Sequence, residues 1–400
     1  MRFWTVFLLC IVLAPAARAG LRVVTVGDSI TNGYTPYLAA ELGADWTVIG
    51  KGASGHSARQ YFEQDLDDAL AADPDIVCIM LGTNDAVRAR TSLFNLVRFR
   101  NGMSGILDRL ASFRNGRDRR PLVLLATVMP IVAPSPWVDA EPFIEEEINP
   151  WIRAASAERG VGLVDIGAQI QRQPDWLSLY REGVHLTPAG YRWMVRVWGA
   201  AVRAVVDPSC WLGDRADEVR GTVGLWAYLF GGPDRPLSGQ TLSLELDGKR
   251  VASAETDADG RCLLRFALKP GQGPGELPMR LRYEGDMWTL GASAAGSLRL
   301  EVATRLLMSS RTLTVGRWAM VMARLQRVDD ERPVNARRVW LSVRGERAAS
   351  ALTVGDGRAL LLFEVPPGTE PGEYPLAVEY DGDGGYLPSR SVAILDVKRP

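Results

Sequence analysis

The hydrophobic pattern divides the chain into two parts. From residue 20 to about 208, short apolar or β-branched runs alternate with longer segments of helical spacing. Such alternation favours a parallel sheet between two layers of helices. The predicted strands are 23–26, 46–49, 76–81, 122–128 and 161–166. The first predicted helix starts at Thr35-Pro36 and stops at Gly43, and the others lie within 61–71, 94–113, 141–159 and 188–205. In the segment 141–159, Pro150 is a candidate break.

Beyond Asp207-Pro208 the pattern changes to short alternating runs broken by glycine and proline, which is typical of antiparallel β-sandwiches. This region also repeats internally. Asp259-Gly260-Arg261 recurs at 356–358, and Tyr283-Glu284-Gly285-Asp286 recurs in similar form at 380–383, both at an offset of 97 residues (356 − 259). The repeat predicts two sandwiches of similar size.

The first nineteen residues have the pattern of a secretory signal peptide. Arg2 is followed by an apolar run from Phe3 to Leu13, which is too short to span a bilayer, and Ala17-Arg18-Ala19 has the small-x-small spacing of a cleavage site. We therefore expect a secreted, periplasmic or extracellular protein without a transmembrane span. The chain is 47% apolar with a formal net charge of −1, so its composition favours globular domains and does not indicate a nucleic-acid partner.

Cysteine and histidine are too sparse to predict a metal site. Three cysteines remain after the signal peptide, namely Cys78, Cys210 and Cys262, and no Cys–His cluster has the spacing of metal ligands. The odd count argues against a full disulfide framework, and we expect Cys210 and Cys262 not to be bridged.

A serine follows the first predicted strand. Val23 to Val26 lead into Gly27-Asp28-Ser29, where the glycine permits a sharp turn between strand and helix. In parallel sheets, ligands bind beyond the carboxyl ends of the strands, so Ser29 is a candidate nucleophile. Asp28 is expected to order the turn. A Gly-Asp-Ser sequence also occurs by chance. The residues that follow the later strands decide whether Ser29 is a nucleophile or an ordinary turn residue.

Three later stretches supply the other groups that an acyl transfer needs. Glycines between Gly50 and Gly55 leave backbone N–H groups accessible to an oxyanion, and Asn84 offers its side-chain amide, although each stretch alone is also typical of an ordinary turn. His185 precedes the last helix, with Glu182 three residues before it. A serine hydrolase needs an imidazole base and an acid that orients it, so this loop supplies both.

Taken together, the four stretches resemble the SGNH or GDSL hydrolases over roughly residues 21–205. The resemblance implies a three-layer α/β sandwich with a five-stranded parallel sheet, similar to flavodoxin, and no metal or organic cofactor. It implies Ser29 as the nucleophile and His185 as the base. The oxyanion hole would combine the backbone N–H groups of Ser29 and Gly55 with the Asn84 side chain.

One residue departs from this family pattern. The family usually has aspartate three residues before the histidine, whereas this chain has Glu182. Glutamate also serves in Ser-His-acid triads, so Glu182 is the predicted third catalytic residue. Asp85 is expected to fix its loop. His56 follows the oxyanion glycine and is a candidate substrate contact; the alternative is a solvent-exposed turn residue.

The sequence therefore predicts a secreted serine esterase acting on a small ester or an acylated polymer. The predicted units are a signal peptide at 1–19, a hydrolase domain at 20–208, and sandwiches at 209–303 and 304–400 that resemble bacterial immunoglobulin-like domains. These sandwiches are candidates for contact with a cell surface or a polysaccharide, but no aromatic platform is identifiable from sequence. The alternative function is a non-catalytic adhesin or carbohydrate-binding protein that retains the hydrolase fold.

Overall fold

The computed structural model describes residues 4–9, 20–219, 222–232, 235–269, 271–309 and 313–398. The predicted signal peptide lies outside the described residues except for one strand, β1, which pairs antiparallel with 297–302. The strands of the N-terminal half are β1 (Trp4–Leu9), β2 (Leu21–Gly27), β3 (Trp46–Gly52), β4 (Ile76–Met80), β5 (Leu122–Ala126) and β6 (Gly162–Val164). No helix in the described ranges is both long and apolar enough to cross a bilayer.

Strands β2 to β6 form one parallel sheet in the order β3-β2-β4-β5-β6. The predicted five strands are therefore all present, and every residue of β4 and β5 is buried. The helices are α1 (Ser29–Leu42), α2 (Ala58–Gln64), α3 (Leu66–Ala71), α4 (Thr83–Ala89), α5 (Phe94–Ser112), α6 (Glu141–Phe143), α7 (Asn149–Arg159), α8 (Ile166–Gln171) and α9 (Pro188–Ala204). A π-turn at Ile144–Ile148 joins α6 to α7.

The predicted start of the first helix at Thr35-Pro36 is wrong. Helix α1 begins at Ser29, because the Asp28 side chain caps it by accepting a hydrogen bond from the Ile30 N–H at 3.0 Å. Pro36 lies inside the helix, where its ring removes one N–H donor. Because the helix begins there, Ser29 stands on its first turn.

The C-terminal half consists of two β-sandwiches whose neighbouring strands are antiparallel except for one short parallel pair in the second, and the predicted fold class is confirmed. The first sandwich contains β7 (Ser209–Val219), β8 (Thr222–Phe230), β9 (Thr241–Leu246), β10 (Lys249–Glu255), β11 (Arg261–Ala267), β12 (Gly275–Tyr283) and β13 (Ala292–Val302). The second contains β14 (Thr304–Ser309), β15 (Leu313–Thr314), β16 (Trp318–Arg327), β17 (Arg338–Val343), β18 (Glu346–Leu352), β19 (Arg358–Glu364), β20 (Gly372–Tyr380) and β21 (Ser389–Lys398).

The two sandwiches share one strand arrangement. Sheet β1-β13-β12-β9-β10 faces β11-β8-β7 in the first, and β15-β21-β20-β17-β18 faces β14-β16-β19 in the second. Strands β9 to β12 recur as β17 to β20 with the same 97-residue offset (338 − 241) as the sequence repeat. The immunoglobulin-like assignment and the domain boundaries remain predictions.

Contacts join the first sandwich to the α/β region. Val206 donates its N–H to the Trp288 carbonyl at 2.8 Å and accepts from the Leu290 N–H at 2.9 Å. Leu290 is buried in the same hydrophobic cluster as the parallel sheet. Arg114 also donates to both carboxylate oxygens of Glu284, at 3.0 and 2.9 Å. The sandwich is thus fixed to the base of the α/β region by backbone, apolar and ionic contacts.

Cys78, Cys210 and Cys262 are all buried free thiols. Burial raises the pKa of the Cys210 thiol to about 12 and that of Cys262 to about 11. Both therefore behave as small apolar side chains within the core of the first sandwich.

Candidate active site

Ser29 stands where β2 passes into α1. The turn before it needs Gly27, since a Cβ there would lie 1.9 Å from Thr31 Oγ1 and 2.5 Å from the Met80 carbonyl oxygen. The Asp28 cap then fixes the first turn of the helix. Close packing on one side and a capped helix on the other hold the serine at the carboxyl edge of the sheet.

The structure brings Ser29 and His185 together although 156 residues separate them. Ser29 Oγ lies 2.8 Å from His185 Nε2. His185 reaches this position from the loop before α9, whose N-terminus is capped by the Thr187 hydroxyl. With its proton on Nδ1, the imidazole accepts the Ser29 hydroxyl proton at Nε2. The pair has the geometry of a nucleophile and its base.

Glu182 occupies the other side of the imidazole. Its Oε1 contacts His185 Nδ1 and also accepts from the His185 backbone N–H at 3.2 Å. Its Oε2 accepts from Arg181 Nε at 2.8 Å. Partial burial tends to raise the pKa of Glu182, but the hydrogen bonds from Arg181 and His185 outweigh it and hold that pKa below its usual range. The carboxylate is therefore ionised and bonded at both oxygens.

The loop that carries Glu182 and His185 is held against the segment after β5. Gly183 has φ +87°, and its carbonyl accepts from the Val132 N–H at 2.9 Å. A Cβ at Gly183 would lie 2.0 Å from the Val132 carbonyl oxygen, so this close approach requires glycine. The loop position is therefore set by its backbone, and from it the longer glutamate side chain reaches the imidazole.

Two of the predicted oxyanion donors are backbone N–H groups, those of Gly55 and Ser29. Gly55 has φ +79°, and a Cβ built there would meet no atom within 4 Å. Its carbonyl accepts from Arg88 Nη2 at 3.0 Å, which holds the peptide that follows Gly55. The Ser29 N–H lies at the N-terminus of α1, where helix N–H groups lack intrahelical acceptors. Both positions suit donors to a developing negative charge.

The Asn84 amide already has two acceptors. Its Nδ2 donates to Asp28 Oδ2 and to the His56 carbonyl oxygen, each at 3.2 Å. Burial raises the pKa of Asp28 to about 6, although the Ile30 N–H bond and the His185 charge oppose the rise. Asn84 is thus fixed beside the nucleophile, and a substrate oxygen must share or replace one of its acceptors.

His56 and Asp85 hold the surrounding loops. His56 Nδ1 lies 2.7 Å from Asp65 Oδ2, and its side chain is only partly exposed. Asp85 is buried and accepts from the Ala58 N–H at 2.9 Å, so it caps the first turn of α2. Burial raises the pKa of Asp85 to about 7. The proposed substrate contact of His56 remains a prediction.

Two arginines at the site were not singled out from the sequence. Arg88 lies on α4 one helical turn after Asn84, and it bonds Gly55 and Gln60. The four-residue spacing from Asn84 was a usable indication that both side chains lie on one helix face. Arg181 had no such indication. Among the described residues, no group of His, Cys, Asp and Glu side chains is arranged to bind a metal ion.

Comparison with known proteins identifies the region that carries this site. Residues 25–193 match the GDSL-like Lipase/Acylhydrolase family. An acetylxylan esterase from Xylanibacter ruminicola is 26% identical over 219 residues, which are 48% of this chain and 44% of that protein. The chain therefore spans less than half the length of this curated relative.

Solved structures are also similar to this part of the chain. A GDSL-like lipase from Bacteroides thetaiotaomicron is 24% identical with a TM-score of 0.40, covering 48% of this chain and 92% of that one. An acetylxylan esterase from Geobacillus stearothermophilus is 20% identical with a TM-score of 0.36, covering 46% and 94%. The family match confirms the resemblance predicted from the four motifs, and residues 25–193 form a GDSL-like domain.

Proposed function

We propose that this protein is a serine esterase that hydrolyses carboxylic esters through an acyl-serine intermediate. The observation that carries the proposal is the continuous chain of contacts from Ser29 Oγ through the His185 ring to the Glu182 carboxylate. The family match over residues 25–193 supports it independently.

In the proposed acylation, Ser29 Oγ attacks the ester carbonyl carbon while His185 Nε2 takes the hydroxyl proton. The tetrahedral intermediate then collapses, the C–O bond to the alcohol breaks, and His185 returns the proton to the leaving oxygen. In deacylation, water loses a proton to His185 and attacks the acyl carbon. The bond from that carbon to Ser29 Oγ then breaks, His185 returns the proton to Oγ, and the acid leaves. The ionised Glu182 stabilises the imidazolium formed in both steps.

The oxyanion would be stabilised by the N–H groups of Ser29 and Gly55 together with Asn84. We propose that Asn84 exchanges its bond to the His56 carbonyl for the oxyanion and keeps its bond to Asp28. A donor positioned by a carboxylate needs little reorganisation when negative charge develops, which is the condition for electrostatic stabilisation of a transition state.

For the substrate class we propose acetyl or other short acyl esters on an extracellular polysaccharide. The acetylxylan esterase relative and the signal-peptide pattern of residues 1–19 support this choice. Export would make the amino terminus of the mature protein Gly20, which N-terminal sequencing of the secreted protein tests.

The central experiment compares acetate release from acetylated xylan with hydrolysis of p-nitrophenyl esters of graded acyl length. We expect acetate release by the wild-type protein and loss of all ester hydrolysis in a folded Ser29→Ala variant. Near-normal turnover by Ser29→Ala would overturn the mechanism. A folded wild-type protein that hydrolyses none of these esters would favour the adhesin alternative.

A further inference from the structure

The outer face of sheet β14-β16-β19 in the second sandwich is unusually apolar. Its outward positions alternate with core positions along β16 and β19. Six large apolar side chains on this surface are between 41 and 71% exposed, and we call them the apolar face: Leu307, Trp318, Met320, Met322, Leu360 and Leu362. Strand pairing makes them contiguous, since Met320 lies opposite Leu362 and Met322 opposite Leu360.

The apolar face is large for a protein that acts alone. Side chains of this size offer on the order of 200 Å² each, so six that are about half exposed present roughly 600 Å². This is the upper end of the largest apolar patch on ordinary monomers. Doubled across an interface it reaches roughly 1,200 Å², the lower limit for a specific protein–protein contact.

The equivalent face of the first sandwich is covered by its own side chains. Trp211 stacks on Tyr228 with ring centroids 5.3 Å apart, and on Phe230 at 5.2 Å. Arg261 lies over the Trp226 ring at 5.5 Å. None of these four rings is among the highly exposed apolar side chains. The outward side chains of this sheet therefore pack on one another in the first sandwich, whereas those of the apolar face in the second sandwich remain exposed.

Charges lie at both ends of the apolar face. Glu364 is opposite Trp318 at one end, and Arg358 is opposite Arg324 at the other. Both arginines already contact Asp356: Arg358 Nε lies 3.2 Å from its carboxylate, and Arg324 Nε donates to its carbonyl at 3.0 Å. The Arg358 side chain remains 58% exposed despite its contact with Asp356. The face is thus acidic and aromatic at one end and basic at the other.

We propose that the apolar face binds the apolar face of a second copy of this chain. A two-fold axis between the sheets, running across the strands midway between the two Met–Leu pairs, makes the strands antiparallel. Met320 then packs on Met322 of the second copy, and Glu364 faces its Arg358. Every contact occurs twice, as an isologous interface requires.

The same rotation places Trp318 against Arg324 of the second copy, where a guanidinium over an indole ring is favourable. Self-complementary charge and sufficient area both favour a second copy over another protein. The surface is at the lower limit of interface size, so we expect a dimer with a dissociation constant of about micromolar order. The inference does not depend on the proposed esterase activity.

The test measures molar mass of the full chain by light scattering and sedimentation over a concentration series from about 0.1 to 100 μM around the expected constant. We expect a monomer–dimer equilibrium in the wild type. Leu362→Asp should raise the dissociation constant of the dimer at least tenfold. The matched control is Ile394→Asp, since Ile394 is 64% exposed on the outer face of the opposite sheet. That variant should dimerise as the wild type does. At concentrations well below the dissociation constant, where all three proteins are monomers, both variants should keep the wild-type melting temperature.

A charge exchange gives a second, independent measurement. Glu364→Arg should weaken the dimer, and adding Arg358→Glu should restore it, since each pair then regains opposite charges. A wild-type monomer at all concentrations would overturn the proposal, as would equal dimerisation of Leu362→Asp and Ile394→Asp. Monomers that sediment with phosphatidylcholine vesicles would also overturn it and would identify a lipid surface as the occupant.

Discussion

Replacing Glu182 with glutamine tests the proposed triad most sharply, because the single oxygen of the new amide can accept from only one of the two N–H donors that the carboxylate now serves. Arg181 Nε donates to Oε2 at 2.8 Å, closer than the His185 backbone N–H that donates to Oε1 at 3.2 Å, so we expect glutamine to keep its oxygen at Arg181 and to direct its NH₂ group toward His185 Nδ1. That contact forces the imidazole proton onto Nε2, where the ring can no longer accept from Ser29. We expect kcat to fall about 10⁴-fold, as when the acid of a comparable triad becomes an amide.

A loss of this size corresponds to about 5 kcal/mol of transition-state stabilisation. The assay is steady-state and burst-phase hydrolysis of p-nitrophenyl acetate, with circular dichroism as the check of folding. Because its hydrogen bonds hold the pKa of Glu182 below its usual range, the wild-type carboxylate is ionised at any assay pH near neutrality.

Two further variants separate tautomer control from simple loss of charge. Arg181→Gln alone should change kcat only a few-fold, since surface ion pairs contribute little. Combined with Glu182→Gln, it frees the amide to turn its oxygen toward His185 and should recover at least tenfold of the lost kcat. A Glu182→Gln enzyme within tenfold of wild type, or no recovery in the double variant, would refute the reasoning.

Three other outcomes follow from buried contacts. Asn84→Ala should lower kcat on a small ester about 10²- to 10³-fold, and an unchanged kcat would remove Asn84 from the oxyanion hole. Burial raises the pKa of Asp85 from 3.8 to about 7, so its contribution to stability is complete below about pH 4 and is lost as the pH rises through 7. In urea titrations at a series of pH values, Asp85→Asn should reduce the fall in unfolding free energy between pH 4 and 7 by at most about 4 kcal/mol. An unaltered pH dependence would contradict the raised pKa of Asp85. A chain ending after Pro208 should hydrolyse small esters, but loss of the buried Leu290 should lower its unfolding free energy by about 2 kcal/mol or more; a folded, inactive truncation would contradict separate function.

The parallel sheet was predictable because its three inner strands, β2, β4 and β5, are buried on both faces. A run such as Ile76 to Met80 has no polar position, so its burial is visible without any knowledge of its neighbours. The convergence of Ser29 and His185 was predictable for a related reason, since all parallel strands end at the same edge. Asn84 follows β4, which lies beside β2 in the sheet, so its position at the same edge was predictable by the same rule.

The prediction places the start of α1 too late because Thr35-Pro36 has the pattern of a helix N-terminus. Ile30, Tyr34, Leu38 and Leu42 are all buried and recur every four residues, so the helical stripe begins six residues before the proline. A proline in a helix costs stability, but the Asp28 cap and this buried stripe outweigh that cost here.

Two side-chain arrangements could not be predicted from the sequence, namely the hydrogen bonds of Asn84 and the apolar face. The two acceptors of Asn84 come from loops 28 and 56 residues away, and only the folded backbone brings them within reach. The apolar face depends on which residue of β16 lies opposite which residue of β19, and alternation along a single strand does not determine that register.

The join at Val206 has a consequence for how the enzyme would meet a polymer. A flexible tether lets a catalytic domain sweep a volume around its anchor, at a local concentration that depends on tether length. Here Val206 follows directly after the last helix, and both its N–H and its carbonyl are hydrogen-bonded, to Trp288 and Leu290. The connection between the α/β region and the first sandwich is therefore not a flexible linker. The serine is therefore carried at a fixed distance and orientation from the first sandwich. Ester groups presented at another height or angle come within reach only when the whole molecule reorients.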